Sequence, residues 1–563
     1  VAVDLDFLHH FAAAGNLNSM LNEKTAAKKF RSRDNYSPGG ETGRRPERAT
    51  IVYANRMREA YKDVPIIIGG IEASLRRFAH YDYWSNKVRH SILLDSKADI
   101  LSYGMGERSV AEIADALAEG KTTAEMYDIR GICYVTSRAP LSDKAVMCPS
   151  YEEVRDDKKA FAEAFKIQYE EQDPYHGRTI IQPSENRFVV QTPPALPLTT
   201  EEMDAIYELP FQRRWHPMYD EAGGVPALQE VQFSLTSQRG CFGHCHFCAI
   251  TSHQGRIIQH RSHESLLREA KRMTELPDFK GYIHDVGGPT ANFRHEACGK
   301  QRISGACRNR HCIGSEVCPN LDTSHEDYRR LLREIRQIPG VKKVFVRSGL
   351  RYDYVLADHN KKFVEELCQY HVSGQLKVAP EHVVKHVTDL MGKADVQAFL
   401  KFKEWFDEAN RKLGKKQYLV PYFMSSHPGC TLRDSVELAE FLRDMHMQPE
   451  QVQDFIPTPG SLSTAMYYTG MNPLTGEKVY VARRPEEKQM QRALMQYKNP
   501  ANYDIVYKAL CQAGRRDLIG FGPKCLIPPR RLQGARPEQT PQRRGGRLQP
   551  PKKTRRRDTR GRK

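Results

Sequence analysis

Three cysteines in SQRGCFGHCHFCAI, namely Cys241, Cys245 and Cys248, stand at C-x3-C-x2-C spacing. A loop of that length can wrap three thiolates around one cubane Fe–S cluster. Only three ligands are offered locally, so one iron keeps an open coordination position. A catalytic metal needs such a position and a closed structural site lacks it. Phe247, just before the third cysteine, is expected to shield the cluster from water. The plainer reading of the bare spacing is a zinc knuckle or three unrelated thiols.

Four more cysteines, Cys298, Cys307, Cys312 and Cys318, fall in CGKQRISGACRNRHCIGSEVC at C-x8-C-x4-C-x5-C. Thiols this close suit a structural zinc ion or a second Fe–S cluster, and free loop thiols are the alternative. Cys133, Cys148, Cys368, Cys430, Cys511 and Cys525 are scattered and read as structural. Thirteen cysteines cannot all pair within the chain, and no signal-peptide pattern opens it. A cytoplasmic location is therefore expected, where clustered cysteines bind metal more often than they form disulfides. His80, Tyr81, Asp82, Tyr83 and Trp84 crowd one segment, either at a substrate or in a packed aromatic turn.

The elements that must position these groups alternate. Residues 1–200 read as α/β: VPIIIGG and ADILSYGMGE are strands ending in glycine turns, and ERSVAEIADALAEG and KKAFAEAFKIQYEEQ are helical. Such a sheet faces a ligand with the loops at its strand ends. QTPPALPLT reads as a linker. Within 227–480, strand-like segments at 230–236, 281–287, 343–349, 375–380, 417–425 and 450–458 are separated by helical ones. Six such units predict a parallel sheet or a partial barrel, with function at the C-terminal strand ends. In SHEDYRRLLREIRQI, Tyr328, Leu331, Leu332 and Ile335 form one apolar face, and Ser324 with Asp327 is the expected capping pair. The cysteine triplet follows the first strand, and the four-cysteine group forms an insertion at 295–320 after the second. Residues 481–528 read as a helical extension.

Length suggests about two to four domains. With 39% apolar residues and no apolar run of about 18, no membrane span is expected. The net charge is +17, but residues 530–563 hold 14 Lys and Arg against 2 acidic residues, or +12. Taking 12 from 17 leaves +5 for the other 529, so the folded part is nearly balanced. The basic tail, 529–563, is expected to be disordered and is a possible RNA contact through phosphates. It has no aromatic residues for base stacking. The chain starts at Val1 with regular structure expected at once, which points to a missing N-terminal piece.

The triplet, with an aromatic before its third cysteine, resembles the radical S-adenosylmethionine (SAM) signature. GNLNSM, YSPGG, RPERATIVYANR, IIGGIEASLRRFAHYDYW, KVRHSILLD, ADILSYGMGE, QRGCFGHCHFC and KVAPEHVV together resemble the YgiQ-type radical SAM proteins, from about Gly15 to about Pro528. The resemblance implies an α/β fold: a partial (β/α)6 TIM-like barrel core, an N-terminal Rossmann-like domain that is truncated here, and a C-terminal extension. It implies a radical SAM enzyme with a [4Fe–4S] cluster on the triplet. SAM chelates the open iron, and cleavage of its sulfonium yields a 5′-deoxyadenosyl radical that acts on a substrate the family does not identify. A reductant such as flavodoxin or ferredoxin is then required. Gly287, Gly288 and Pro289 match the stretch whose backbone meets SAM, without its usual Glu; a plain turn is the alternative. By the same analogy Arg347, Ser348, Glu381 and Ser425 are candidates near SAM or substrate. The Asp-x-His-x-x-Gly loop that ligates cobalt in related domains is absent, so cobalamin is not supported. The rival function is a non-catalytic Fe–S electron-transfer or sensor protein, which would more often supply a fourth cysteine.

Overall fold

The computed structural model describes residues 10–13, 18–140, 144–308 and 310–530. The expected tail lies outside the described residues beyond its first two positions. The N-terminal strands are β1 (His10–Ala13), β2 (Ile66–Gly69), β3 (His80–Asp82), β4 (Lys87–Arg89), β5 (Ile100–Ser102), β6 (Ile132–Thr136), β7 (Val146–Met147), β8 (Ile180–Ser184) and β9 (Arg187–Gln191). Seven form one sheet in the order β1-β2-β5-β6-β9-β8-β7. β1, β2 and β5 are parallel, with helix Ala49–Ala60 crossing from the first to the second, as in an open α/β sheet. Beyond β5 the expected Rossmann-like pattern ends. The pairs β5–β6, β6–β9 and β9–β8 are antiparallel and the edge pair β8–β7 is parallel again, making the sheet mixed. The reason is local: β8 and β9 are joined through Glu185 at φ 54°, a tight hairpin that leaves no room for a crossover helix.

The later strands are β10 (Ser234–Thr236), β11 (Gln238–Arg239), β12 (Gln259–His260), β13 (Tyr282–Ile283), β14 (Asp285–Gly287), β15 (Lys343–Val344), β16 (Gln375–Glu381), β17 (Tyr418–Ser425) and β18 (Gln453–Asp454). Each of the six expected strand segments contains one or more of them. β10 pairs with β14, β13 with β15, β16 with β17 and β17 with β18, all in parallel. Helices Glu326–Arg336, Val396–Leu413 and Leu432–Asp444 lie between them in sequence. Among the described residues no ladder joins β15 to β16 or β18 to β10, so no closed barrel is formed.

The helix Glu326–Arg336 buries Tyr328, Leu331, Leu332 and Ile335 as its spacing requires, each worth about 1.5–3 kcal/mol. Its expected cap does not form. His325 is the N-cap without a side-chain bond, because Asp327 instead accepts from Arg294, His263 and His295. The two halves share one apolar cluster: Phe78, Tyr81 and Phe161 from the first half meet Phe423, Met466 and Tyr467 from the second. Tyr81 stacks on Tyr468 at 4.7 Å, and Phe161 meets the same ring at 4.7 Å. The His80–Trp84 segment is therefore a packed aromatic hairpin. Helices Pro485–Met495 and Tyr503–Gln512 pack on Leu432, Val436 and Ala439. Among the described residues no helix is long and apolar enough to cross a membrane.

Candidate functional site

The triplet loop leaves β11 and is fixed from several sides. The Cys241 amide donates to the Gly255 carbonyl at 3.1 Å, and Gly240 takes φ 84° where a side chain would overlap the Ile257 carbonyl. His246 clamps the middle of the loop. Its amide donates to Met391 O at 2.9 Å, its ring nitrogen meets Leu390 O at 3.0 Å, and its carbonyl accepts from the Ser463 amide at 2.9 Å. The loop is thus held both by its own turn, where the Cys248 amide donates to Cys245 O at 3.0 Å, and by residues from the far end of the fold.

Burial pushes the Cys248 thiol up to about 12 and the Cys241 thiol up as well, the neighbouring Cys245 thiolate adding to both. Three adjacent thiolates in a buried site need a cation, and a cluster of iron ions supplies one. Among the described residues, only His260, His295 and Glu296 bring three such donor atoms all within 4.8 Å of one another. The triplet is spread more widely than that. A single zinc with bonds of about 2.3 Å holds any two sulfurs within about 4.6 Å. A cubane, which takes each thiolate on a separate iron, fits the wider spacing better.

Positive charge lies beside the thiols. Arg351 Nη1 donates to Gly243 O at 2.9 Å and to Cys245 Sγ at 3.4 Å. The same guanidinium grips Asp353 through bonds of 2.9 and 2.6 Å. Lys393, 4% exposed, lies within electrostatic reach of Cys248, Asp353 and Glu381. Cys241 Sγ sits 3.6 Å from Thr290 Oγ1. None of these four was singled out by sequence; each lies 45 or more residues from the cysteine it serves.

Two polar groups near the thiols lack any protein partner. Glu381 Oε2 and the Tyr352 hydroxyl are buried without a hydrogen bond. Burial raises the pKa of each, and Tyr352 feels both Glu381 and Cys245. Glu381 also stands at φ 68°, next to the register break in β16. Ser426, just past the end of β17, repeats the pattern with φ 62° and an unpartnered Oγ. Strained backbone and orphaned polar atoms at the ends of adjacent strands mark a place built for a ligand.

The comparisons agree with this chemistry. The profile of the family "Radical SAM N-terminal" matches residues 7–234, and that of a "Domain of unknown function (DUF3362)" matches 450–562. A UPF0313 protein of Clostridium perfringens (strain 13 / Type A) is 56% identical over 514 residues, 91% of this chain and 78% of that one. One from Clostridium botulinum (strain 657 / Type Ba4) is 56% identical over 516 residues, 92% and 81%. The chain belongs to the UPF0313 family, the YgiQ-type radical SAM proteins. Among solved structures it is similar to the radical SAM methyltransferase TsrM from Kitasatospora setae with cobalamin and a [4Fe–4S] cluster bound. That match has 12% identity, 88% of this chain, 79% of the other and a TM-score of 0.45. The cobalamin-dependent radical enzyme OxsB with aqua-cobalamin bound matches at 12% identity, 76% and 46%, with a TM-score of 0.40. Likeness at that level carries no ligand over to the UPF0313 chain.

Other expected site residues are placed as follows. Phe247 is half-buried against the shared apolar cluster, edge-on to His427 at 6.2 Å. The more buried ring is Phe242, stacked on Phe293 at 3.7 Å beside Cys241. Gly287 pairs with Thr236 across β10 and β14 and abuts Ser348, and Gly288 abuts Gln238. Both glycines therefore have a packing reason in the protein itself. Ser348 and Ser425 donate to Asp285 and Asp454, the latter at 2.6 Å. The Arg347 side chain is half-exposed, 3.9 Å from Glu230. Of the four strand-end candidates, only Glu381 is left with a buried, unpartnered group, and it lies within electrostatic reach of Tyr352 and Lys393.

The second cysteine group surrounds Cys312. Burial pushes its thiol up to about 11, with Cys298, Cys318 and Cys307 adding to the shift. Cys312 and Cys318 pack on Phe242, Ile313 and Leu321, in the same apolar cluster that Cys241 touches. His260, His295 and Glu296 are half-buried. Burial lowers His260 to about 4, with the buried Arg294 guanidinium adding to it.

Proposed function

We propose that this protein is a cytoplasmic radical SAM enzyme that reductively cleaves SAM at a [4Fe–4S] cluster held by Cys241, Cys245 and Cys248. Family membership gives the superfamily, and the α/β core with its in-order parallel pairing supports a partial barrel. One observation carries the site: Tyr352 and Glu381, buried and unpartnered, lie on the side of the triplet where Arg351 touches Cys245. The bound cluster supplies one electron at low potential and an open iron for SAM. The chain's own residues do the rest. Arg351 and Lys393 offset thiolate charge, Phe242 and Phe293 exclude water from the Cys241 side, and Glu381 offers a carboxylate to a cationic or hydroxyl-bearing ligand. Gly287, Gly288 and Pro289 form the turn that closes the site beside Thr290. A one-electron reductant of the flavodoxin or ferredoxin class is required.

The test is chromatography of anaerobic reactions with SAM and dithionite, using the Cys241→Ala/Cys245→Ala/Cys248→Ala variant as control. 5′-Deoxyadenosine and methionine above that control are expected. A full cluster with demonstrable SAM binding and no cleavage product would instead favour an electron-transfer or sensor protein.

A further inference from the structure

The insertion between the second and third core strands is anchored as if it carries a load. Asp173 accepts from the Ala306 amide at 2.7 Å, His176 Nε2 lies 2.6 Å from Ser304 O, and Arg308 meets Glu171 at 3.2 Å. From the core side, Arg256 donates to the carbonyls of Cys307 and Arg310 at 3.0 and 3.1 Å. A loop whose four cysteines had no task would not need ties to both halves of the molecule.

Its sulfurs have the neighbours that anionic thiolates attract. Gln301, 2% exposed, has its Oε1 held by the Ala297 amide and donates from Nε2 to Cys312 Sγ at 3.6 Å. Lys300 Nζ lies 3.9 Å from Cys307 Sγ. The Cys318 amide donates to Cys312 O at 3.0 Å, and Cys298 caps the helix that carries Gln301. A buried amide N–H aimed at one sulfur and an ammonium beside another are the surroundings of a metal-bound thiolate. No three of these sulfurs meet the 4.8 Å spacing found at His260, His295 and Glu296, so one zinc ion suits them poorly. Four thiolates spread around more than one metal suit an Fe–S cluster.

We infer that Cys298, Cys307, Cys312 and Cys318 hold a second Fe–S cluster, separate from the triplet, with Cys312 and Cys318 packed against the same Phe242–Phe293 apolar cluster that Cys241 touches. The inference does not depend on what the triplet catalyses. The experiment uses the full chain, prepared without oxygen with iron and sulfide. The triplet variant should retain between about two and four irons with matching sulfide. Changing all four insertion cysteines to Ser should remove that same amount from the wild type and leave the remainder. A folded triplet variant without iron, or with one equivalent of zinc in its place, would overturn the inference. If either variant fails to fold, 57Fe Mössbauer spectra of the wild type decide it. Two cluster populations support the second site, and a single population of about four irons refutes it.

Discussion

Gly288 lies so close to Gln238 that a side chain at 288 would overlap the Gln238 carbonyl oxygen. Gln238 is three residues before Cys241 and donates from Nε2 to Thr290 O at 2.8 Å. The glycine turn and the cysteine loop are therefore one packed unit, although they come from different strands.

Gly288→Val should consequently damage both. Overpacking there is expected to cost about 1–3 kcal/mol. Iron content should fall along with SAM binding, because the clash pushes on the strand that launches the triplet. Iron analysis and thermal melts without oxygen check this. A variant with full iron and lost SAM binding would show that the two loops move independently.

Arg351→Gln should lower the reduction potential of the triplet cluster and destabilise the fold. The substitution removes a donor and a positive charge beside Cys245 and strands Asp353, whose burial raises its pKa but which the guanidinium holds below its ordinary value. Breaking a buried pair on one side costs about 3–5 kcal/mol. Adding Asp353→Asn should restore much of the stability but not the potential. Redox titration followed by EPR separates the two effects.

Glu381→Gln should stabilise the protein and weaken SAM binding. Burial raises the Glu381 carboxyl above its ordinary value. Its contribution is therefore complete below about pH 4.3 and is lost as the pH rises through the folded value. An amide cannot ionise, so the substitution removes that loss and is expected to gain about 1 kcal/mol at high pH. The same carboxylate, if it serves the ligand, is worth roughly tenfold in SAM affinity. Equilibrium binding on cluster-loaded protein decides this, and unchanged affinity would take Glu381 out of the site.

His263 joins two core helices through Asp327 at 3.0 Å and Glu334 at 2.6 Å, and the Asp327 bond raises its pKa despite partial burial. A raised pKa in the folded state gives stability that is complete below about pH 6.5 and lost as the pH rises through the folded value. The difference in melting temperature between wild type and His263→Gln should therefore be larger at pH 6 than at pH 8.5. An equal difference at both would mean the imidazole is not charged in the fold.

Much of this was legible in the sequence because it is local. C-x3-C-x2-C fixes three thiols on one loop, and the Tyr328–Ile335 spacing fixes one buried face. What was not legible comes from distance in the chain. Arg351 reaches Cys245 across 106 residues, and Phe293 stacks on Phe242 across about half that. No local pattern marks such partners. The antiparallel half of the first sheet was missed because a hairpin strand and a crossover strand share the same apolar alternation. The Ser324–Asp327 cap failed because a buried arginine and two histidines outcompete one amide for the Asp327 carboxylate. Asp82 was noticed only as part of a crowd, yet it holds Arg48 at 2.6 Å and lies well below its ordinary pKa.

The clamp on His246 has a consequence for biosynthesis. Two of its backbone partners, Met391 and Ser463, are translated long after the cysteines themselves. Ser463 follows His246 by 217 positions, about 10–40 s of synthesis at ordinary rates. During that interval the thiols are on the ribosome without the frame that shapes them. Stable metallation of the triplet is therefore expected only after Ser463 has been made, and a nascent chain stalled short of Ser463 is expected to surrender iron to a chelator that the finished chain resists.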